Sequence, residues 1–301
     1  MNRLPKTRQL QVFRQILRSG SIRAAARELG LAQPTVSRTI RDLEQTLGAQ
    51  LFLRDSDGTR LTEAGEAFSQ RAQLILEELL RASHEVEQIN NYSHGVLNMG
   101  FSSLMLMTVL PTVTDAFLVR SPHVQMTVKE GQLSALLPMI RSGELDFAVG
   151  TIEPSSLVDD LITEPLMTAS FSILCRRGHP LEQAQTLEQL GKAKWLLPES
   201  TMGYYRRLMV DFQAIYTRLP NLIRTDSLIC ALNMMLHADY LTVVASGTCD
   251  SAILSDRFTV IPINNVPSAS YYIVWSEKML LTAPAKLFIE LLKKEVRRTQ
   301  W

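Results

Sequence analysis

The run LAQPTVSRTIRDLEQTLG, residues 31–48, gathers side chains suited to one kind of chemistry. Gln33, Thr35, Ser37, Arg38 and Arg41 all carry hydrogen-bond donors, Pro34 sits among them, and no acid appears before Asp42. On a helix, Val36, Ile40, Leu43 and Leu47 recur at intervals of 4, 3 and 4 and line one side. Residues 34, 37, 38 and 41 then share the opposite side, with Gln33 and Thr35 at the tip. Water-facing helix surfaces ordinarily mix Glu, Lys and Gln. Here an arginine able to give two hydrogen bonds to guanine stands beside a glutamine suited to adenine, a threonine methyl suited to thymine, and a serine suited to a base edge or a phosphate. A carboxylate on this surface would be repelled by phosphate, so the missing acids have a physical reason. The chemistry is that of a face reading double-stranded DNA in the major groove.

No set of comparable order supports catalysis. Cys175 and His179 in CRRGH lie four apart, but on a strand leading into His-Pro they do not share a face neatly, and no second ligand pair exists for a zinc site. His84, His94, His123 and His237 are isolated. The sequence has no GxSxG, Walker loop, HExxH or GxGxxG, and no evident nucleophile-base pair. The expectation is a binding protein and not an enzyme, with no cofactor and no metal. Cys175, Cys230 and Cys249 are too few and too scattered for a disulfide framework, which fits a reducing compartment. A redox-responsive protein signalling through these cysteines is the alternative from another class.

The donor face needs elements to hold it. Lys6 to Arg18 reads as a helix with Leu10, Phe13, Ile16 and Leu17 inward; SGS at residues 19–21 ends it, and Ser21 caps the next. That second helix, Ile22 to Leu29, is short, and Ala24, Ala25 and Ala26 let a neighbouring backbone come close. Gly30 follows where a helix end wants positive φ. Pro34 suits the first position of the third helix, where its missing N–H has no intrahelical partner. Short helix, tight turn and second helix make the helix-turn-helix pattern. Charge agrees with it. Up to Thr62, 11 Lys and Arg stand against 5 Asp and Glu, a balance of +6, whereas the remainder, at 20 against 25, carries −5.

At 301 residues, 46% hydrophobic and 20% charged, the chain can bury a large core in two or three domains. The start MNRLPKTRQLQVF lacks a signal-peptide apolar run. Leu104 to Val113, the longest greasy stretch, is interrupted by Pro111 and too short to span a bilayer. A soluble cytoplasmic protein is expected. From Thr62 to Asn91 one long helix is predicted, on which Ala64, Phe68, Ala72, Ile75, Leu79, Ala82, Val86 and Ile89 form a nearly unbroken seam that calls for a partner helix. About 28 residues at 1.5 Å each make a rod of roughly 42 Å.

The run SIRAAARELGLAQPTVSRTIRDLEQTLGAQLFLRDSDGTRLTEAGEAF resembles the N-terminal domain of LysR-type transcriptional regulators almost position for position. The resemblance implies a winged helix-turn-helix over residues 1–62, a linker and dimerisation helix over 63–91 and an effector-binding domain over 95–301. It implies that Gln33, Pro34, Thr35, Ser37 and Arg38 face the groove and that Arg54 and Arg60 flank the wing. At the wing tip, Asp55 and Asp57 occupy a place that is often basic in the family. An antiparallel linker-helix dimer would hold two reading heads on a pseudo-palindromic promoter site, and dimers of the family commonly pair into tetramers. Contact with RNA polymerase would follow from the spacing of the heads.

NNYSHG, residues 90–95, breaks the helix. Beyond it, β-rich runs such as VLNMGFS, VQMTVKEG, LDFAVGT, FSILCRR, KWLLP, LTVVA and YYIVW alternate with helical ones, which predicts parallel sheets in two α/β subdomains. The resemblance implies a periplasmic-binding-protein-like form, with one subdomain spanning 95–165 and 271–301 and the other 166–270. Overall the fold class is α+β and multidomain. In open α/β sheets ligands lie beyond the carboxyl ends of strands. Ser102, Ser103, Gln132, Ser134 and Thr151 from one subdomain and Thr201, Gly203, Tyr204, Thr225 and Ser227 from the other make a cleft of neutral donors. A small-molecule effector, a carboxylate metabolite, fits it, with Asp226 counting against strong anionic charge. The effector half is most similar to regulators of amino-acid or aminobenzoyl-peptide catabolism, among them the activator of anaerobic threonine degradation.

Overall fold

A computed structural model describes residues 4–55, 58–91, 95–152, 160–198, 222–249, 251, 254–263, 266, 268–299 and 301. The chain forms two compact units, one made of Met1–Val86 with Arg141–Gly143 and the other of Glu87–Ile140 with Glu144–Trp301.

The first unit opens with α1 (Thr7–Ser19), α2 (Ile22–Glu28) and α3 (Gln33–Leu47). Gly20 ends α1 at φ +71°, and Ser21 Oγ accepts the Ala24 N–H at 3.1 Å to start α2. Gly30 turns the chain at φ +63°. Helix α3 begins at Gln33, so Pro34 is its second residue rather than its first; the ring still sits in the turn whose N–H groups have no intrahelical partner. Phe13, Ile16, Ala25, Val36, Ile40 and Leu43 are buried together, so the small alanines of α2 do allow close packing of α3. Two expected inward residues are not inside. Leu17 is 37% and Leu47 36% exposed, because each stands at a helix end beyond the reach of the facing elements. Val12 and Gln9 are buried on α1 instead.

A hairpin of β1 (Phe52–Asp55) and β2 (Gly58–Leu61) follows, in the register Phe52↔Leu61 and Leu53↔Arg60. It is anchored from α3, where Glu44 Oε1 accepts the N–H groups of Leu51 at 2.8 Å and Phe52 at 3.3 Å. Helix α4 (Glu63–Asn91) is capped by Thr62, whose Oγ1 accepts the Gly65 N–H at 2.9 Å and donates to Gln50 O at 2.6 Å. Its apolar seam divides. Phe68, Ala72 and Leu76 pack into the three-helix core, Phe68 against Phe13 at 5.3 Å, and Arg14 on α1 pairs with Glu77 at 2.9 Å. Further along, Ile75, Leu79, Leu80 and Val86 stand 46–56% exposed.

The second unit holds two five-stranded sheets. One runs β4-β3-β5-β12-β6, from β3 (Val96–Phe101), β4 (Gln125–Glu130), β5 (Phe147–Thr151), β6 (Leu161–Ala169) and β12 (Ala269–Ser276). The other runs β11-β7-β10-β8-β9, from β7 (Phe171–Arg176), β8 (Lys194–Leu197), β9 (Leu222–Arg224), β10 (Tyr240–Ala245) and β11 (Phe258–Ile261). They are mixed, not parallel as the alternation suggested. Strands β3, β4 and β5 pair in parallel, and so do β8, β9 and β10, but β12 lies antiparallel to β5 and β6, and β7 antiparallel to β10 and β11. The antiparallel strands are those next to the passages between sheets. β6 ends at Ala169 opposite Ala269 of β12, and β7 opens the other sheet at Phe171.

Helices α5 (Ser103–Thr108), α6 (Leu110–Arg120), α7 (Leu133–Arg141), α8 (Leu228–Ala238) and α9 (Ala283–Val296) connect and close the strands. Phe288 of α9 packs on Phe117 of α6 at 5.3 Å, and on Phe101 and Phe147 at 6.3 and 6.1 Å, which ties the last helix into the first sheet's core. Among the described residues no helix is long and apolar enough to cross a membrane.

Candidate functional site

Two surfaces carry the candidate residues. On α3, Val36, Ile40 and Leu43 are buried, whereas Gln33, Pro34, Thr35, Arg38 and Arg41 are exposed. Ser37 is half-buried, since it and Arg41 line a groove with Glu44, Gln50, Leu53 and Thr59 between α3 and the hairpin. Helix α3 has no acidic residue in its first turn. Arg60 is exposed on the hairpin, opposite Leu53. Of Arg54 and Asp55 only the strand backbone is described, and Asp57 lies outside the described residues. The same face that sequence spacing separates from the core is therefore the face presented outward.

The second surface is a cavity of about 70 Å³ lined from both sheets of the second unit. Ser102, Ser103, Gln132 and Thr151 line it from the first sheet's strand ends, and Thr225, Asp226 and Ser227 from the second's. Ser134, the second residue of α7, does not line it. Thr201, Gly203 and Tyr204 lie outside the described residues. Sequence reasoning missed Leu196 to Pro198, Thr242 to Ala245, Thr248 and Tyr271, which reach the cavity only because sheet pairing places β8, β10 and β12 there.

The hydroxyls play different parts. Ser227 Oγ accepts the Cys230 N–H at 3.2 Å as the cap of α8, and Thr225 Oγ1 accepts the Ser227 N–H at 3.1 Å, so each keeps a proton to give outward. Ser103 Oγ donates to Glu130 at 2.7 Å, and Thr248 and Thr242 donate to Ala245 O and Leu196 O at 2.6 and 2.8 Å. Ser102 differs from all of these. It is only 6% exposed, and its Oγ has no hydrogen-bond partner among the described residues. An unpartnered buried hydroxyl costs free energy unless something occupies the space it faces.

The cysteines are all free thiols. Cys175 is buried on β7, where desolvation, then the Glu182 carboxylate, pushes its thiol up to about 12 against a smaller opposing pull from Arg176. It is therefore a weak nucleophile. His179 is buried in the turn beyond, its Nδ1 accepting the Leu181 N–H at 3.0 Å and its Nε2 lying 3.3 Å from Asp239 O. No cluster of His, Cys, Asp and Glu among the described residues could hold a metal ion.

A helix-turn-helix with a hairpin wing, a long helix and a cleft between two mixed α/β sheets define a ligand-responsive DNA-binding regulator. The chain belongs to the LysR family of bacterial regulatory helix-turn-helix proteins: residues 7–66 match the family's helix-turn-helix and residues 90–297 its substrate-binding domain. It is 36% identical over 294 residues, 97% of this chain and 93% of the relative, to the HTH-type transcriptional regulator TdcA of Escherichia coli K12. Among solved structures, CbnR, a LysR family transcriptional regulator, superposes with TM-score 0.69 at 19% identity, covering 97% of this chain and 99% of that one. Full-length CbnR complexed with its target DNA gives 0.68 at 19% identity, covering 96% and 99%.

Proposed function

We propose that this LysR-type regulator is a cytoplasmic protein that binds promoter DNA through Gln33, Pro34, Thr35, Ser37, Arg38, Arg41, Arg54 and Arg60. A small carboxylate metabolite, held where Ser102, Thr151, Thr225 and Ser227 meet, is its signal, and it catalyses no reaction. The observation that carries the effector assignment is the Ser102 hydroxyl, buried without a partner among the described residues on the wall of a cavity. A carboxylate oxygen would satisfy that donor and accept the outward protons of Thr225 and Ser227. Residues 1–62 are the reading head, 63–91 the linker helix, and 95–301 the effector domain, with subdomains at 95–165 plus 271–301 and at 166–270.

The exposed Ile75, Leu79, Leu80 and Val86 of α4 suit a second copy of the same helix, so the working unit is a homodimer that pairs further into a tetramer. CbnR, complexed with its target DNA in the solved structure, supports DNA as the partner. A ligand that favours one arrangement of the effector domains would alter the spacing of the heads, and through it DNA bending and polymerase contact.

The test is a thermal-shift screen of the full-length chain against small mono- and dicarboxylates and amino acids, repeated with Ser102→Ala. A hit at a hundredfold its Kd would stabilise the chain by about 2.7 kcal/mol. The reading expects at least one such hit and its loss in Ser102→Ala with DNA binding kept. A screen in which nothing stabilises the wild type, or a hit indifferent to Ser102, refutes it.

A further inference from the structure

Resting on the reading that the cavity is the effector site, we infer that Trp301 is a positioning residue for it, a wedge behind the cavity that holds two of its walls together. Trp301 lies five residues beyond Val296, where α9 ends, and its indole N–H donates to Val296 O at 2.8 Å, so the ring is tethered to the helix that packs on the first sheet. The ring also reaches the other sheet. A Cβ built on Gly247 would stand 3.6 Å from Trp301 Cε3, 3.8 Å from its Cζ3 and 3.7 Å from Leu104 Cδ1. Gly247 sits in the short 3-10 turn Ser246–Thr248 that follows β10 of the second sheet, whereas Leu104 belongs to α5, which follows β3 of the first. One ring and one leucine thus meet the same stretch of backbone from the opposite sheet.

Those neighbours are cavity walls. Leu104, Ala245 and Thr248 line the cavity and are buried, and Trp301 stands behind them. On its other side the turn is held by the passage between sheets: the Ser246 N–H donates to Ser170 O at 2.8 Å, and Ser246 Oγ lies 2.7 Å from Ser172 Oγ. Ser102 O accepts the N–H groups of Met105 and Leu106 at 3.0 and 3.3 Å, so α5 carries Leu104 and Ser102 as one piece. Removing the ring leaves a gap behind both Leu104 and Gly247, and packed structure relaxes into such gaps only in part. Walls already in place spare a ligand the cost of ordering them. Trp301 therefore prepares the cavity from outside it.

The test is hydrogen–deuterium exchange of the full-length chain without ligand, read at single amides in wild type, Trp301→Ala and Trp301→Phe. Trp301→Ala should speed exchange about tenfold or more at the hydrogen-bonded amides of Met105, Leu106, Ser246 and Cys249, with those of β4 and of the first turn of α9 unchanged. Trp301→Phe keeps a ring against Gly247 and loses only the bond to Val296 O, so it should stay within about threefold of wild type at the same four amides. Wild-type rates at those amides in Trp301→Ala overturn the inference. So does a rise spread evenly over the second unit, which marks a residue that merely stabilises the fold, and so does a Trp301→Phe chain as fast as Trp301→Ala. Because no ligand is added, this result and the effector reading, which stands or falls on the thermal-shift screen, fail separately.

Discussion

Gly65 allows a prediction whose size comes directly from the packing of the reading head. It sits in the first turn of α4, and a Cβ built there would lie 2.1 Å from the Leu51 carbonyl oxygen, 2.8 Å from Leu61 Cδ2 and 3.0 Å from the Leu51 carbonyl carbon. The oxygen cannot step aside cheaply, since it also accepts the Thr62 N–H at 3.0 Å, and Leu51 leads straight into β1. Gly65→Ala gains up to about 1 kcal/mol of helix propensity. Against that, forced overpacking costs typically about 1–3 kcal/mol, and more when backbone must shift. The clash wins by roughly 1–2 kcal/mol, which in a unit of this size lowers Tm by about 4–8 °C per kcal/mol. The wing moves with Leu51, so affinity for DNA should fall although residue 65 is not among the residues proposed to read it. Thermal unfolding and gel shift on the same preparation check both effects. An unchanged or raised Tm would refute the close-approach argument.

Leu79→Glu, which puts charge on the exposed part of the α4 seam, should convert the homodimer to monomers in analytical ultracentrifugation without lowering the Tm of the reading head; a variant that stays dimeric would remove α4 from the interface. Leu43→Ala should cost about 2–5 kcal/mol, because a fully buried side chain is lost from the α3 core, and denaturant unfolding would show it. In the folded protein Cys230, exposed, should react with a thiol reagent at once, while Cys175 reacts only after unfolding. Because the Cys175 thiol is raised to about 12 in the fold and ionises near 9 when exposed, its stabilising contribution is complete below about pH 9 and fades as pH climbs toward 12. Cys175→Ala should flatten that alkaline loss, seen by unfolding at a series of pH values.

How much of this was legible in the sequence depends on how local each feature is. The face of α3 was readable because its ladder of Val36, Ile40 and Leu43 repeats within one helix, and the turns at Ser21 and Gly30 are set by neighbouring residues. Leu17 and Leu47 failed because periodicity does not reveal where the packing partner ends. The strand-end residues Ser102, Gln132, Thr151, Thr225 and Ser227 were readable as ends of strands or starts of helices. Thr242 to Ala245 and Tyr271 were not, since β10 and β12 reach the cavity through pairings with strands far away in sequence. The same long-range pairing made the sheets mixed.

On the proposed function, the exposed, acid-free side of α3 reads base edges. Its most direct test selects preferred duplexes from a random pool with the wild-type chain, then compares wild type and Arg38→Ala on preferred and scrambled duplexes at one fixed salt concentration. Arg38 is exposed, so the variant should fold as before. Discrimination between the two duplexes should shrink by about 1–3 kcal/mol, roughly 5- to 150-fold, with the loss concentrated at one guanine position. An Arg38→Ala chain that keeps the wild-type base preference in full would contradict the account.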